Sequence, residues 1–115
     1  MKVIRGSEVA AEPVEEEGAR EVTVRWLISR PEGAPNFAMR LFEVRAGGCT
    51  PRHEHPWEHE VYVVEGNLEV VGPRGPVPAG PGDAVFVPPG EAHQFRNAGE
   101  GVARMLCMIP LPPQP

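Results

Sequence analysis

The stretch Gly47-Gly48-Cys49-Thr50-Pro51-Arg52-His53-Glu54-His55-Pro56-Trp57-Glu58-His59-Glu60-Val61-Tyr62-Val63-Val64-Glu65-Gly66 decides how the rest of the chain is read. Alternate residues of a β-strand share one face, roughly 6.6 Å apart, so His53 and His55 can aim both imidazoles at one point. Pro56 has no amide hydrogen to give to a strand ladder. Pro56-Trp57-Glu58 therefore reads as the turn that ends one strand and lets His59 open the next.

A second framed segment lies downstream: Gly82, five residues, Pro88-Pro89-Gly90, two residues, His93, three residues, Asn97. Its glycines and prolines stand where tight strand connections need them. The two segments hold all four histidines of the chain. Imidazole nitrogens bind first-row divalent ions at roughly 2.0–2.1 Å, so His53, His55, His59 and His93 make a compact, all-neutral set of metal ligands. A lone histidine on an apolar strand is more often structural; four of them in two framed segments argue for a metal site.

The 115 residues suit a single domain, and 15 Pro and 13 Gly punctuate short apolar runs with no long helical period, so the chain reads as all-β. Expected strands are Glu21–Ser29, Phe37–Arg45, Arg52–His55, His59–Glu65, Asn67–Val71, Asp83–Val87, Ala92–Arg96 and Val102–Ile109. Expected turns fall at Pro31–Pro35, Gly47–Gly48, Gly66–Asn67, Gly72–Gly75, Gly80–Gly82 and Pro88–Gly90. Many short strands at even spacing predict a barrel or jelly roll. The acidic stretch Glu8 to Glu17 reads as a solvated arm or edge segment, and Pro110 to Pro115 as an extended polyproline tail.

With a formal net charge of -5 and dispersed basic residues, the chain shows neither a nucleic-acid footprint nor a membrane-surface patch. No apolar run approaches the roughly 18 residues of a membrane span, and Met1-Lys2-Val3-Ile4-Arg5 does not read as a signal peptide, so a cytoplasmic location is expected. Cys49 and Cys107 are then expected to stay reduced.

Both framed segments resemble those of the cupin superfamily, whose single-domain members are small β-barrels (a jelly roll, or double-stranded β-helix). The second matches the family pattern at every framing position. In the first, the family usually places a glutamate seven residues before the closing glycine, where this chain has His59 between Glu58 and Glu60. That departure, with Ala34-Pro35-Asn36-Phe37 and Met39-Arg40-Leu41-Phe42, resembles the small bacterial four-histidine manganese cupins, over roughly residues 22 to 110. The resemblance implies manganese as cofactor (iron, nickel, copper and zinc being the alternatives), a homodimer, and oxidase- or dioxygenase-like chemistry with dioxygen or peroxide.

Replacing a carboxylate by His59 leaves the full +2 charge on the ion and removes an internal base. A one-residue slip that brought Glu60 inward would turn it to the other face of the sheet, so it is not expected. Arg40, on an otherwise apolar strand, is either a paired surface residue or an inward cation that meets an anionic substrate or a metal-bound peroxide. Cys107 shares a strand face with Met105 and Ile109 and is either inert core or part of the wall near the metal. Trp57 reads as a rim or subunit contact, and Phe95 as packing against the imidazoles. The expected function is oxidative cleavage of a carbon–carbon bond in a small organic substrate. The alternatives are a non-catalytic metal or small-molecule binder, and a sugar or keto-acid isomerase. The isomerase needs a proton shuttle that the sequence does not offer, since Tyr62 points away from His59 by strand parity.

Overall fold

The computed structural model describes residues 1–112. Among them are nine strands: β1 Glu12–Pro13, β2 Arg20–Ile28, β3 Phe37–Cys49, β4 His59–Glu65, β5 Leu68–Gly72, β6 Gly75–Ala79, β7 Ala84–Val87, β8 Gln94–Asn97 and β9 Ala103–Pro110. They join one sheet in the order β6-β5-β8-β3-β9-β4-β7, with β2 added to β3 and β1 to β2, which curls into a nearly closed barrel. All pairings are antiparallel. The all-β barrel expected from the sequence is what forms. No helix among the described residues is long and apolar enough to cross a membrane.

Strand alternation sorts the side chains. Val44, Val61, Val63, Leu68 and Met105 are essentially removed from solvent and fill the barrel. On the inward faces of β3 and β9, Arg40 sits opposite Cys107 and Phe42 opposite Met105. That pairing places a cation and a thiol in the same wall.

The segment 52–55 is not a strand; only one bridge, between His53 and His93, survives there, because Pro51 and Pro56 withhold amides on either side. Gly47–Gly48 is not a turn. β3 runs on to Cys49 through an irregularity in its pairing with β2, marked by positive φ at Gly47 (78°) and Glu21 (51°). A Cβ at Gly48 would lie 2.7 Å from the Arg20 carbonyl oxygen, so the strands close there only without a side chain. Gly75–Ala79, outside the expected strands, forms the edge strand β6, where Pro76 and Pro78 are tolerated.

The acidic arm is not free in solvent. β1 pairs with β2, Val14 packs on the core, and Arg25 Nη1 donates to the Val9 carbonyl at 2.6 Å. At the other end Pro110 closes β9 and the Leu111 amide donates to the Asn36 carbonyl; residues 113–115 of the expected tail lie outside the described residues.

Arg25 also joins a charge network on the outer face. Arg25 Nε and Arg104 Nε donate to the two oxygens of Glu43 at 2.8 and 2.9 Å, and Arg104 also pairs with Glu65. The Arg25 hydrogen bond, then Arg104, hold the Glu43 carboxyl below the ordinary carboxylate range against the push of burial. A depressed carboxylate contributes stability above its ordinary range and loses it as pH falls through the folded-state value. Glu43→Gln is expected to cost about 1 kcal/mol at pH near 7 and progressively less as pH falls below the ordinary carboxylate range. Urea melts across that span of pH check this; equal costs would remove the ion pairs as the cause.

Candidate metal centre

Local chain geometry delivers the four imidazoles to one place. His53 and His93 exchange backbone hydrogen bonds (3.1 and 3.0 Å), and the Gly90 amide donates to the His55 carbonyl at 2.7 Å. Buried Thr50 adds a further clasp: its Oγ1 accepts from the Phe95 amide at 2.9 Å while its own amide donates to the Phe95 carbonyl. His59 enters as the first residue of β4, buried and pointing inward, whereas Glu58 and Glu60 are exposed. The register therefore does not slip, and Glu60 stays outside.

The ligand atoms of His53, His55 and His93 lie within 4.8 Å of one another, and His59 Nε2 is 2.7 Å from His55 Nε2. Two nitrogens bound to one ion at right angles would stand about 3 Å apart, which the His55–His59 spacing approaches. Each ring also has an outer partner on Nδ1. These are Glu16 Oε2 for His53 (2.8 Å), the Trp57 carbonyl for His55 (3.0 Å), the Glu91 carbonyl for His93 (2.8 Å) and Cys107 Sγ for His59 (3.3 Å).

A carbonyl only accepts, so the rings of His55 and His93 carry their proton on Nδ1 and turn a bare Nε2 lone pair inward. The His93 lone pair is buried and has no hydrogen-bond partner among the described residues. Leaving such an acceptor unmet costs about 1–3 kcal/mol, which a divalent cation would relieve. The donor set and this orphaned nitrogen fit a metal ion.

His59 differs from the others because a thiol can either donate or accept. With no cation between the rings, His59 Nε2–H donates to His55 Nε2 and its Nδ1 accepts the Cys107 S–H. With both Nε2 lone pairs engaged, His59 Nδ1–H donates to Sγ instead. Arg40 Nη2 donates to the same sulfur at 3.1 Å. Burial pushes the Cys107 thiol up, with the Arg40 guanidinium opposing, so it stays a thiol at neutral pH. Burial first, then repulsion from His93, His55 and Arg40, brings His59 down to about 3. Burial likewise lowers His93, against the Glu91 carbonyl. Both rings are neutral and ready to bind a cation.

Cys107→Ser keeps a group that donates and accepts, and is expected to hold metal affinity within about threefold, while Cys107→Val strands His59 Nδ1 and weakens it about 10–100-fold. Competition with a chromophoric chelator reads both. Equal losses would mean that bulk, not hydrogen bonding, matters at this position.

The cluster forms part of the wall of a cavity of about 520 Å³, lined also by Trp26, Arg40, Phe42, Phe95, Met105 and Ile109. Its only carboxylates, Glu16 and Glu54, are exposed ones. Arg40 is sandwiched 5.2 Å from the Trp26 ring and 4.8 Å from Phe42. Among the described residues no carboxylate pairs with it, and its buried Nε has no partner. Arg40 is thus an inward cation rather than a paired surface residue. Trp57 stacks on His55 at 4.5 Å and 6° between planes, making it a rim residue. Phe95 meets His93 edge to face at 6.2 Å. Both cysteines are free, with Cys49 lying against the Gly18 carbonyl, away from the cavity wall. Sequence reasoning missed Glu16, Thr50 and Trp26: Glu16 and Trp26 lie outside both framed segments, and Thr50, inside the first, has no periodicity that marks it.

Residues 40–109, more than half of the chain, match the model of the cupin domain. The chain belongs to the cupin family. Two curated relatives of this cupin come from Streptomyces. It is 39% identical over 85 residues to polyketide synthase CurC of Streptomyces cyaneus, covering 72% of this chain and 55% of that protein. It is 36% identical over 85 residues to protein SchB of Streptomyces halstedii, covering 72% of this chain and 62% of the relative. The cupin thus spans roughly three-fifths or less of the length of these curated relatives.

Among solved structures, the polyketide cyclase RemF from Streptomyces resistomycificus superposes with a TM-score of 0.92 at 43% identity, over 100% of this chain and 82% of that one. A predicted oxalate decarboxylase from Thermotoga maritima gives a TM-score of 0.85 at 25% identity, over 96% and 100% of the two chains.

Proposed function

We propose that this cupin is a metal-dependent enzyme that closes a ring in a small, largely apolar poly-carbonyl compound of the polyketide kind. The observation that carries this reading is the set of four imidazoles with every Nδ1 engaged outside the cluster, standing in the wall of an apolar cavity. Likeness to the cyclase RemF over the whole chain supports the substrate class. His53, His55, His59 and His93 would hold the ion, with manganese proposed first and iron, nickel, copper or zinc as alternatives. A bound divalent ion supplies Lewis-acid polarisation of a substrate carbonyl.

The chain's own residues do the rest. Trp26, Phe42, Phe95 and Met105 exclude water and fold an apolar substrate against the imidazoles. Arg40 offers N–H donors to a carbonyl or enolate oxygen, with no carboxylate paired to it among the described residues. In the ring closure an α-carbon bonds to a carbonyl carbon, and the proton lost from the α-carbon ends on the new alkoxide oxygen. Elemental analysis of protein purified without chelator, followed by incubation with a linear poly-β-ketone thioester and mass detection of cyclised product, tests the reading. Absence of metal, or no product above free metal, would sink it.

Oxidative carbon–carbon cleavage with dioxygen or peroxide is the second reading. It is favoured by the absence, among the described residues, of a buried carboxylate in the cavity wall to take an α-proton. Cleavage of an activated alkene by the metal-loaded protein and peroxide would select it over cyclisation. We also place a homodimer in this reading, supported by the outward apolar band of Met39, Leu41, Tyr62, Phe86, Leu106 and Met108 across four neighbouring strands. Light scattering checks the mass.

A further inference from the structure

We infer that Glu16, on the N-terminal arm and outside the matched cupin domain, is a positioning residue for the metal centre that fixes the tautomer of His53. The inference rests on the metal reading above and extends the site to a segment before the barrel.

The contact is built from both sides. Upstream, Arg25 holds the Gly6 and Val9 carbonyls, β1 pairs with β2, and the Val14 amide donates to the Val22 carbonyl at 3.1 Å. Downstream, the Ala19 amide donates back to the Glu16 carbonyl at 3.0 Å, across a turn in which Gly18 takes φ 94°, and Arg20 enters β2. The loop between these pins crosses the cavity mouth, where Val14 and Glu16 line the wall. Of the three consecutive glutamates, Glu16 is the one that reaches the histidines.

His53 needs such a partner more than its neighbours do. His55 and His93 take their Nδ1 acceptors from carbonyls within two residues of themselves in the chain. Among the described residues His53 has no local acceptor: its backbone is committed to His93, and its Nδ1 meets Glu16. Without the carboxylate its proton is free to move to Nε2, turning an N–H instead of a lone pair into the cluster. A carboxylate behind a metal-bound imidazole also makes that ring a stronger donor and partly offsets the +2 charge that an all-imidazole set leaves in place.

The test compares wild type, Glu16→Ala and Glu16→Gln by two readouts. The ¹⁵N shifts of His53 in metal-free protein report its tautomer, and manganese and zinc dissociation constants come from chelator competition. Glu16→Ala is expected to move His53 from one Nδ1–H tautomer to a mixture and to raise the dissociation constants about 10–100-fold. Glu16→Gln, whose side-chain oxygen still accepts, is expected to restore the tautomer and most of the affinity. An alanine variant with the wild-type tautomer and constants within twofold overturns the inference, as does a glutamine variant that rescues neither. Failure of wild type to bind either ion would defeat the metal reading instead, and the His53 shifts would still decide what Glu16 does.

Discussion

His93→Ala is expected to abolish tight metal binding while leaving the metal-free barrel nearly as stable as before. Four-ligand zinc sites bind with roughly 10–16 kcal/mol, so one ligand's share is about 2.5–4 kcal/mol, or a loss of roughly two to three orders of magnitude in affinity. The asymmetry comes from the orphaned Nε2. In the metal-free protein that nitrogen is a buried, unmet acceptor, so deleting it relieves a cost and offsets the lost hydrogen bond to the Glu91 carbonyl. At a metal concentration one hundred times the dissociation constant, wild type gains about 2.7 kcal/mol of stability, and the variant should gain almost none. Calorimetric melts with and without manganese or zinc read both effects. A variant that keeps the wild-type metal shift would remove His93 from the ligand set.

Gly66→Ala is expected to cost about 2–4 kcal/mol, a large part of the roughly 5–15 kcal/mol that holds an ordinary domain together. Gly66 has φ 84°, and a Cβ there would stand 2.7 Å from Ala103 Cα and 2.8 Å from the Val102 carbonyl oxygen. Backbone is the obstacle, so no side-chain rotation relieves the clash. Ala103 is wholly buried at the start of β9, the strand that carries Met105 and Cys107 past Val63 and Val61 on β4. Displacing that joint also disturbs the wall beside His59. Gly72→Ala is the control: nothing lies within 4 Å of its Cβ position, and its φ is not in the left-handed region. Denaturant midpoints for the two variants should differ clearly; equal midpoints would contradict the steric argument.

Much of this was legible before any coordinates. His59–Glu65 forms as a strand with the bounds its alternation predicts, and the framing of Gly82 through Asn97 locates the connection that carries His93, although it joins β7 to β8 across the barrel and is not a hairpin, since β7 pairs with β4 and β8 with β3 and β5. Side-chain parity put Met105, Cys107 and Ile109 on one face and Tyr62 outside; that the shared face lines the cavity comes from the structure. What escaped were features whose cause is not local. No strand is expected over 75–79, yet an edge strand needs partners on one side only, so Pro76 and Pro78 fit within β6. Gly47–Gly48 reads as a turn, yet the pair lets β3 and β2 approach where a side chain would collide. The segment 52–55 has strand periodicity but, between two prolines, too few free amides for a ladder. Glu16 was hidden among charged neighbours, because only the docking of the arm decides which of three glutamates meets His53. The inward turn of Arg40 was undecided for the same kind of reason: it depends on the register of β3 against β9.

The exchange of backbone hydrogen bonds between His53 and His93 joins two positions forty residues apart, and the Gly90–His55 bond repeats the link one step along. Neither histidine segment therefore has an address of its own until the other arrives. His53, His55 and His59 stand within seven residues of one another, but the fourth imidazole joins them only through the His53–His93 bridge. On the metal reading proposed above, full four-imidazole affinity in a refolding chain should therefore appear only once these two segments have met, so that ion uptake would report a contact across forty residues of chain.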